Sequence, residues 1–251
     1  MTQEPLPLSF NTRPLDVELG TDQIHIWYCA LDQEASRCSE LIQTLSLDEL
    51  IRAKRFRFDR DRENFIVCRG ILREILGHYL LVEPSQLQFC YGKYGKPALT
   101  DSFENTAISF NLSHSKNLAV YAFTRNREIG VDIEHVHDIP EMEQLAEQFF
   151  SAVENTVFHA LPDSKKREAF FNCWTRKEAF LKAVGDGLSY PLDNFDVSFI
   201  PGQPSGLLAV HGDPQASSRW TIQDLEPPFG FAAAYAIERR SPRLHCWQWY
   251  D

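Results

Sequence analysis

The sequence predicts an α+β fold made of two similar halves, with a ligand site at the seam between them. Three observations predict it. Short segments alternate apolar and polar residues early in the chain and again from Ile108 onward. Two long stretches, one in each half, carry apolar residues at helical spacing. A faint self-similarity relates Ala119-Val-Tyr-Ala-Phe123 to Ala233-Ala-Tyr-Ala-Ile237, and Cys68-Arg-Gly-Ile-Leu-Arg73 to Cys173-Trp-Thr-Arg-Lys-Glu178. The join falls near Arg125-Asn-Arg-Glu128, and ligands favour such seams.

Residues 1 to 20, with prolines at 5, 7 and 14, read as an irregular lead-in. Gln23 to Ala30 (QIHIWYCA) alternates and predicts a strand. Ser46, with Glu49 three residues on, predicts a helix opened by a capping box. From Asp61 to Leu81 the residues Phe65, Ile66, Cys68, Leu72, Ile75, Leu76 and Tyr79 predict an amphipathic helix buried on one side. A short strand is expected from Leu87 to Tyr91, then a loop, Gly92-Lys-Tyr-Gly-Lys-Pro97. Strands are expected from Ile108 to Ser113, Leu118 to Phe123 and Ile129 to Val136. Two helices follow, Glu141 to Leu161 and Ser164 to Val184, the second stopped by Gly185-Asp-Gly187. The remainder predicts strands from Phe195 to Ile200, Trp220 to Leu225, Phe231 to Ile237 and Leu244 to Trp249.

Composition excludes several classes. With 43% hydrophobic residues among 251, the chain has material for a core and is not disordered. No apolar run approaches the ~20 residues of a membrane span, and the N-terminus lacks the pattern of a secretory signal. Six scattered cysteines without C-x-x-C predict reduced thiols and a cytoplasmic protein. A formal charge of −10 disfavours nucleic acid as a partner. Basic residues nevertheless cluster from Arg52 to Arg73, with Lys54, Arg55, Arg57, Arg60, Arg62 and Arg69 between. That cluster is either a solvated face neutralised by Asp59, Asp61 and Glu63 or a patch for phosphate or an acidic partner.

Four groups of residues carry chemistry. In Gly130-Val-Asp-Ile-Glu134 a strand sends Val131 and Ile133 to the core and puts Asp132 and Glu134 side by side, about 7 Å apart. The pair is either an acidic edge or a site for a hard divalent ion, Mg²⁺ first. In Trp174-Thr-Arg-Lys-Glu-Ala-Phe-Leu-Lys182 a helix aligns Trp174, Glu178 and Lys182. Glu178 and Lys182 form either a surface pair or a third carboxylate with a phosphate-facing ammonium. Phe110-Asn-Leu-Ser-His-Ser115 ends a strand, where Ser113, His114 and turn N–H groups can hold a phosphate. A serine-hydrolase reading fails, because adjacent Ser113 and His114 point apart and no G-x-S-x-G elbow is present. In Tyr94-Gly-Lys-Pro97, Lys96 can cover a base or a phosphate. His135 and His137 lack a zinc spacing.

In this order, G-K-P, F-N-L-S-H-S, G-V-D-I-E and W-T-R-K-E-A-F-L-K, the motifs resemble the 4′-phosphopantetheinyl transferases. Within that family the chain looks like the broad-specificity, monomeric, double-length type, over about Ser46 to Leu192. The resemblance implies a pseudo-twofold α+β fold with coenzyme A in the cleft, a first half at 1–125 and a second at 126–251. It implies transfer of the phosphopantetheine arm to a serine of a carrier protein, with adenosine 3′,5′-bisphosphate leaving. Carried over by motif, Asp132, Glu134 and Glu178 look like ligands of Mg²⁺, with Mn²⁺ as the alternative. Lys182 and His114 look like pyrophosphate contacts and Lys96, Pro97 and Ser113 like contacts to the adenosine end. Arg52 falls where the family places a cation on the 3′-phosphate, but the position a turn earlier, often basic, is Glu49. That leaves Arg52 and Arg69 for this phosphate. Glu178 is the implied base, and the implied partner is an acidic acyl or peptidyl carrier docked on Lys54 to Arg62 or around Phe149, Phe150 and Phe158, although these phenylalanines read first as core packing. Two rivals share these residues: a phosphoesterase acting on coenzyme A without a carrier, and a non-catalytic coenzyme A binding module.

Overall fold

The computed structural model describes residues 17–93, 95–185, 191–238 and 243–249. The prolines at 5, 7 and 14, Tyr94 and Asp186-Gly187 lie outside the described residues. The first part of the chain runs β1 (Gln23–Ala30), α1 (Ala35–Thr44), α2 (Leu47–Ala53), α3 (Asp59–Leu80), β2 (Phe89–Tyr91), β3 (Pro97–Leu99), β4 (Ile108–Ser115) and β5 (Leu118–Arg125). The second runs β6 (Ile129–His135), α4 (Met142–Phe149), α5 (Ala152–His159), α6 (Asp163–Val184), β7 (Phe195–Val197), β8 (Leu207–Val210), α7 (Ala216–Arg219), β9 (Trp220–Asp224), β10 (Phe231–Glu238) and β11 (Arg243–Gln248).

Two principal sheets form, ordered β11-β1-β5-β4 and β6-β10-β9. They pack face to face through Ile24, Ile26, Val120, Ile129, Val131, Ile133, Tyr235 and Ile237. The outer face of the first sheet, with Trp27, Tyr121 and Phe123, is covered by α3 through Val67, Ile71, Leu72 and Ile75. The outer face of the second, with Ala234 and Ala236, is covered by α6 through Cys173, Ala179 and Phe180. The result is helix, sheet, sheet, helix, with a 22-residue helix on each outside. It is an α+β fold, as expected. One strand crosses between the parts: β11 pairs in parallel with β1, from Gln23 opposite Arg243 to Tyr28 opposite Gln248.

Sandwiching explains three departures from the expected elements. The strand β1 is buried on both faces between its ends, because its sheet has a helix on one side and a sheet on the other. His25, polar in the sequence pattern, is buried and bonded to the Tyr79 hydroxyl at 2.8 Å. Burial, and after it neighbouring His245, pushes the His25 pKa down to about 3, so it is neutral at ordinary pH. The helix α3 is buried around most of its middle and not on one side alone, and Arg69 and Arg73 go inside with it. Arg73 is satisfied there by Glu49 at 2.7 Å and by the Pro84 and Leu87 carbonyls. Glu49 therefore closes the capping box and also neutralises a buried arginine.

The expected helix from Glu141 to Leu161 is two helices, α4 and α5. Phe150 turns extended, and Ser151 caps α5 by accepting the Glu154 N–H while its own N–H donates to the Glu154 carboxylate. Glu154 also anchors α6: its Oε2 lies 2.7 Å from Lys177 Nζ, with both side chains almost fully buried. Lys177 donates further to the carbonyls of Leu192 and Phe195. Lys177→Ala strands a buried carboxylate and is expected to cost about 3–5 kcal/mol in urea unfolding. Burial already raises the Glu154 pKa, against the pull of Lys177. The folded variant then holds a proton on Glu154 more tightly than the unfolded chain does, so its deficit shrinks as pH falls. A loss under 1 kcal/mol or a flat pH response contradicts this account.

Candidate active site

The strand β6 and the helix α6 bring the acidic residues together. Val131 and Ile133 enter the core between the sheets, which leaves Asp132 and Glu134 on the opposite face, towards α6 and β4. The approach of strand to helix depends on Gly130. A Cβ there would lie 2.1 Å from the Ala179 carbonyl oxygen and 2.3 Å from the Ala183 nitrogen, so the two backbones touch. On α6, Glu178 and Lys182 of the stripe face this strand end, while Trp174 packs against Phe149 and Phe170. The stripe's neighbours Arg176 and Lys177 turn away to other partners, buried Arg176 to exposed Asp224 and Lys177 to buried Glu154.

At the centre Lys182 Nζ donates to Asp132 Oδ1 at 2.6 Å and to Ser113 Oγ at 2.9 Å, while Ser113 donates to the same Asp132 oxygen at 2.8 Å. Lys182 therefore pairs with Asp132 across elements, and of the two readings of Glu178 and Lys182 the simple surface pair is not the contact seen among the described residues. Ser115 donates to Glu134 Oε2 at 2.8 Å, and Asn111 accepts the Val131 N–H at 2.9 Å. The expected phosphate-binding turn at Ser113 and His114 is a correction: both lie inside β4, paired with Val120 and Ala119 of β5. The Ser113 side chain, rather than free turn N–H groups, faces the site, and His114, next to it in the strand, points to the other face of β4.

The electrostatics are those of crowded carboxylates. Burial and then Asp132 raise the Glu178 pKa, with Glu134 adding to the rise and Lys182 opposing it. Burial and then Asp132 also raise Glu134. Asp132 Oδ2 and Glu178 Oε1 are buried with no hydrogen-bond partner. Among the described residues no three His, Cys, Asp or Glu side chains are gathered closely enough to hold a metal ion as they stand. Lys182 is seated on Asp132. The donor set nonetheless fits a hard cation: it is all oxygen, two of its atoms are orphaned in the interior, and the groups repel one another.

One cavity adjoins this centre, and a second lies among α2 and β2 residues. The first, of about 210 Å³, lies between Lys96 and Pro97 on one side and Lys182 and Gly185 on the other, with Asn111 and Leu112 beside them. Lys96 also ties the halves, donating to Glu128 at 3.1 Å and to the carbonyls of Ile129 and Ala183. The other, of about 600 Å³, is lined by Asp48, Ile51, Arg52, Arg55, Phe56 and Tyr91. Arg69 stands near it, its guanidinium 5.7 Å from the Tyr91 ring and 5.7 Å from the Phe65 ring, with Nη1 buried and unpartnered. Arg52 stacks on the same Phe65 at 5.5 Å. His114 is exposed, and the protein around it and then the Lys182 charge lower its pKa.

Other expected residues fall elsewhere. Phe150 and Phe158 are core, as their first reading has it, and Phe149 packs against Trp174 at 5.5 Å. His135 and His137 stack on each other, and His135 meets Lys116 at 3.0 Å. The residues missed from the sequence are Asn111 and Ser115. The signal was present, since Asn111, Ser113 and Ser115 alternate along one strand and share a face.

The sequence matches two family descriptions in series. Residues 32–126 match "4′-phosphopantetheinyl transferase, N-terminal", and residues 128–237 match "4′-phosphopantetheinyl transferase superfamily". The 4′-phosphopantetheinyl transferase HetI of Nostoc sp. is 42% identical over 90% of this chain and 92% of its own length. A putative 4′-phosphopantetheinyl transferase of Synechocystis sp. is 36% identical over 66% of this chain and 67% of its own. The 4′-phosphopantetheinyl transferase Sfp of Bacillus subtilis is 30% identical over 61% of this chain and 66% of its own.

Proposed function

This chain belongs to the 4′-phosphopantetheinyl transferase superfamily, and from that membership we propose the roles of its residues in moving phosphopantetheine from coenzyme A to a carrier-protein serine. Asp132, Glu134 and Glu178 would hold Mg²⁺, which when bound supplies positive charge against the diphosphate of coenzyme A. The single observation that carries this reading is the pair of orphaned, buried carboxylate oxygens on Asp132 and Glu178 beside the Lys182–Asp132–Ser113 triad.

Lys182 and His114 contact the pyrophosphate, where Lys182 offsets charge building on the leaving oxygen. Lys96, Pro97 and Ser113 contact the adenosine end, supported by the cavity that Lys96, Pro97 and Lys182 share. Arg52 and Arg69 take the 3′-phosphate, supported by the unpartnered Arg69 Nη1 near the Arg52 cavity. Glu178, its pKa raised by burial and by Asp132, is the better base for it and removes the serine proton. The serine oxygen bonds to the phosphopantetheine phosphorus, the bridging P–O bond of the diphosphate breaks, and adenosine 3′,5′-bisphosphate leaves. We further propose a cytoplasmic monomer with halves at 1–125 and 126–251, the last described strand returning to the first sheet. An acidic carrier would dock on Lys54, Arg55, Arg57 and Arg60, all exposed beside exposed Phe58.

Mass spectrometry of apo-carriers incubated with coenzyme A and Mg²⁺ tests the reading. The expected result is a phosphopantetheine adduct on serine that chelator abolishes. Breakdown of coenzyme A with no carrier present marks a phosphoesterase instead, and binding without transfer marks a binding module. Arg69→Met is expected to raise KM for coenzyme A about tenfold, the worth of one charge-assisted hydrogen bond, and to leave 3′-dephospho-coenzyme A unaffected. Equal losses on both substrates remove Arg69 from the phosphate.

A further inference from the structure

The strands β4 and β6 belong to different sheets and share no backbone ladder: β4 pairs with β5, and β6 with β10. Side chains bridge them instead. Along one face of β4, Asn111 Oδ1 accepts the Val131 N–H at 2.9 Å, Ser113 donates to Asp132 at 2.8 Å, and Ser115 donates to Glu134 Oε2 at 2.8 Å. These residues stand at every second position, and their partners follow in the same order along β6, at Val131, Asp132 and Glu134. The rungs stitch β4 to β6, two of the three through acidic side chains.

Ser115 is the rung with no role in contacting coenzyme A. Its hydroxyl has one proton to give, and Glu134 takes it. Its oxygen accepts the His135 N–H at 3.1 Å, which fixes the hydroxyl against the strand that carries Glu134. Both capacities serve the same short piece of β6. Glu134 is half-buried, so its carboxylate orientation is set by a protein donor and not by bulk water alone. From this geometry we propose that Ser115 is the positioning residue for Glu134, orienting its carboxylate towards the metal. The inference rests on the reading of Glu134 as a metal ligand. It makes the seam between halves part of the metal site: the first half supplies the orienting hydroxyls, and the second supplies the carboxylates.

The test reads binding, without a carrier and without turnover. Isothermal titration of coenzyme A is run in chelator and again in Mg²⁺, for wild type, Ser115→Ala and Ser115→Thr, with thermal unfolding of each. The expected result is that Ser115→Ala binds coenzyme A normally in chelator but needs about tenfold more Mg²⁺ to reach its metal-enhanced affinity. Ser115→Thr keeps the hydroxyl and restores the wild-type Mg²⁺ response. If Ser115→Ala loses thermal stability yet keeps that response, the hydroxyl only glues the seam and the assignment is overturned. If wild type itself shows no Mg²⁺ enhancement, the metal reading fails and takes this inference with it.

Discussion

Asp132→Ala is expected to lower phosphopantetheinyl transfer by about a hundredfold or more while the protein stays folded. Asp132 is the hub of the site: it accepts from Lys182 and Ser113 through one oxygen and leaves the other buried without a partner. Its loss frees Lys182, removes a metal-binding oxygen and relieves the repulsion that raises Glu178 and Glu134. Glu178→Gln is expected to act as strongly by a different route. Its shape is kept, but an amide cannot accept the serine proton and is a weaker ligand. The check is steady-state transfer onto an apo-carrier across a Mg²⁺ series, with circular dichroism to confirm the fold. Full Mg²⁺-dependent activity in either variant defeats the site assignment.

Gly130→Ala is expected to destabilise the protein by about 3 kcal/mol and to impair transfer beyond what that loss explains. The new methyl would meet backbone atoms, the Ala179 oxygen at 2.1 Å and the Ala183 nitrogen at 2.3 Å. No rotamer change relieves a backbone contact, so β6 and α6 must separate. Asp132 and Lys182 sit on those two elements, joined at 2.6 Å, so separation breaks their pair. Denaturant unfolding measures the first effect, and rates taken well below the unfolding midpoint measure the second. A variant as stable and as active as wild type shows that strand and helix do not lie this close.

Much of the scaffold was legible because its signals are local. The alternation of Gln23–Ala30 gave β1 its observed bounds, and helical spacing located both outer helices. Alternation in Gly130-Val-Asp-Ile-Glu134 and the four-residue spacing of Trp174, Glu178 and Lys182 placed acidic residues and ammonium on the faces that meet. What stayed hidden depends on distant partners. The segment Arg52–Arg73 reads as a basic cluster on a solvated face or phosphate patch, yet Arg73 is buried on Glu49, a match visible only once α2 lies against α3. The helix break at Phe150 comes from Ser151 and Glu154 capping together while Glu154 serves Lys177, and no periodicity announces that. Ser115 looked like the end of a motif because its partner strand lies in another sheet.

The parallel seating of β11 on β1 has a consequence for how the chain comes to be folded. The opening strand waits for a neighbour that a ribosome adds only after the whole second half, including the acidic centre, has been synthesised. Until then one border of β1 offers its hydrogen-bonding groups to any extended segment nearby, an invitation to mispairing. Nascent chains arrested short of Arg243 therefore expose that border, and they are the species in which a chaperone or an aggregate would find its hold.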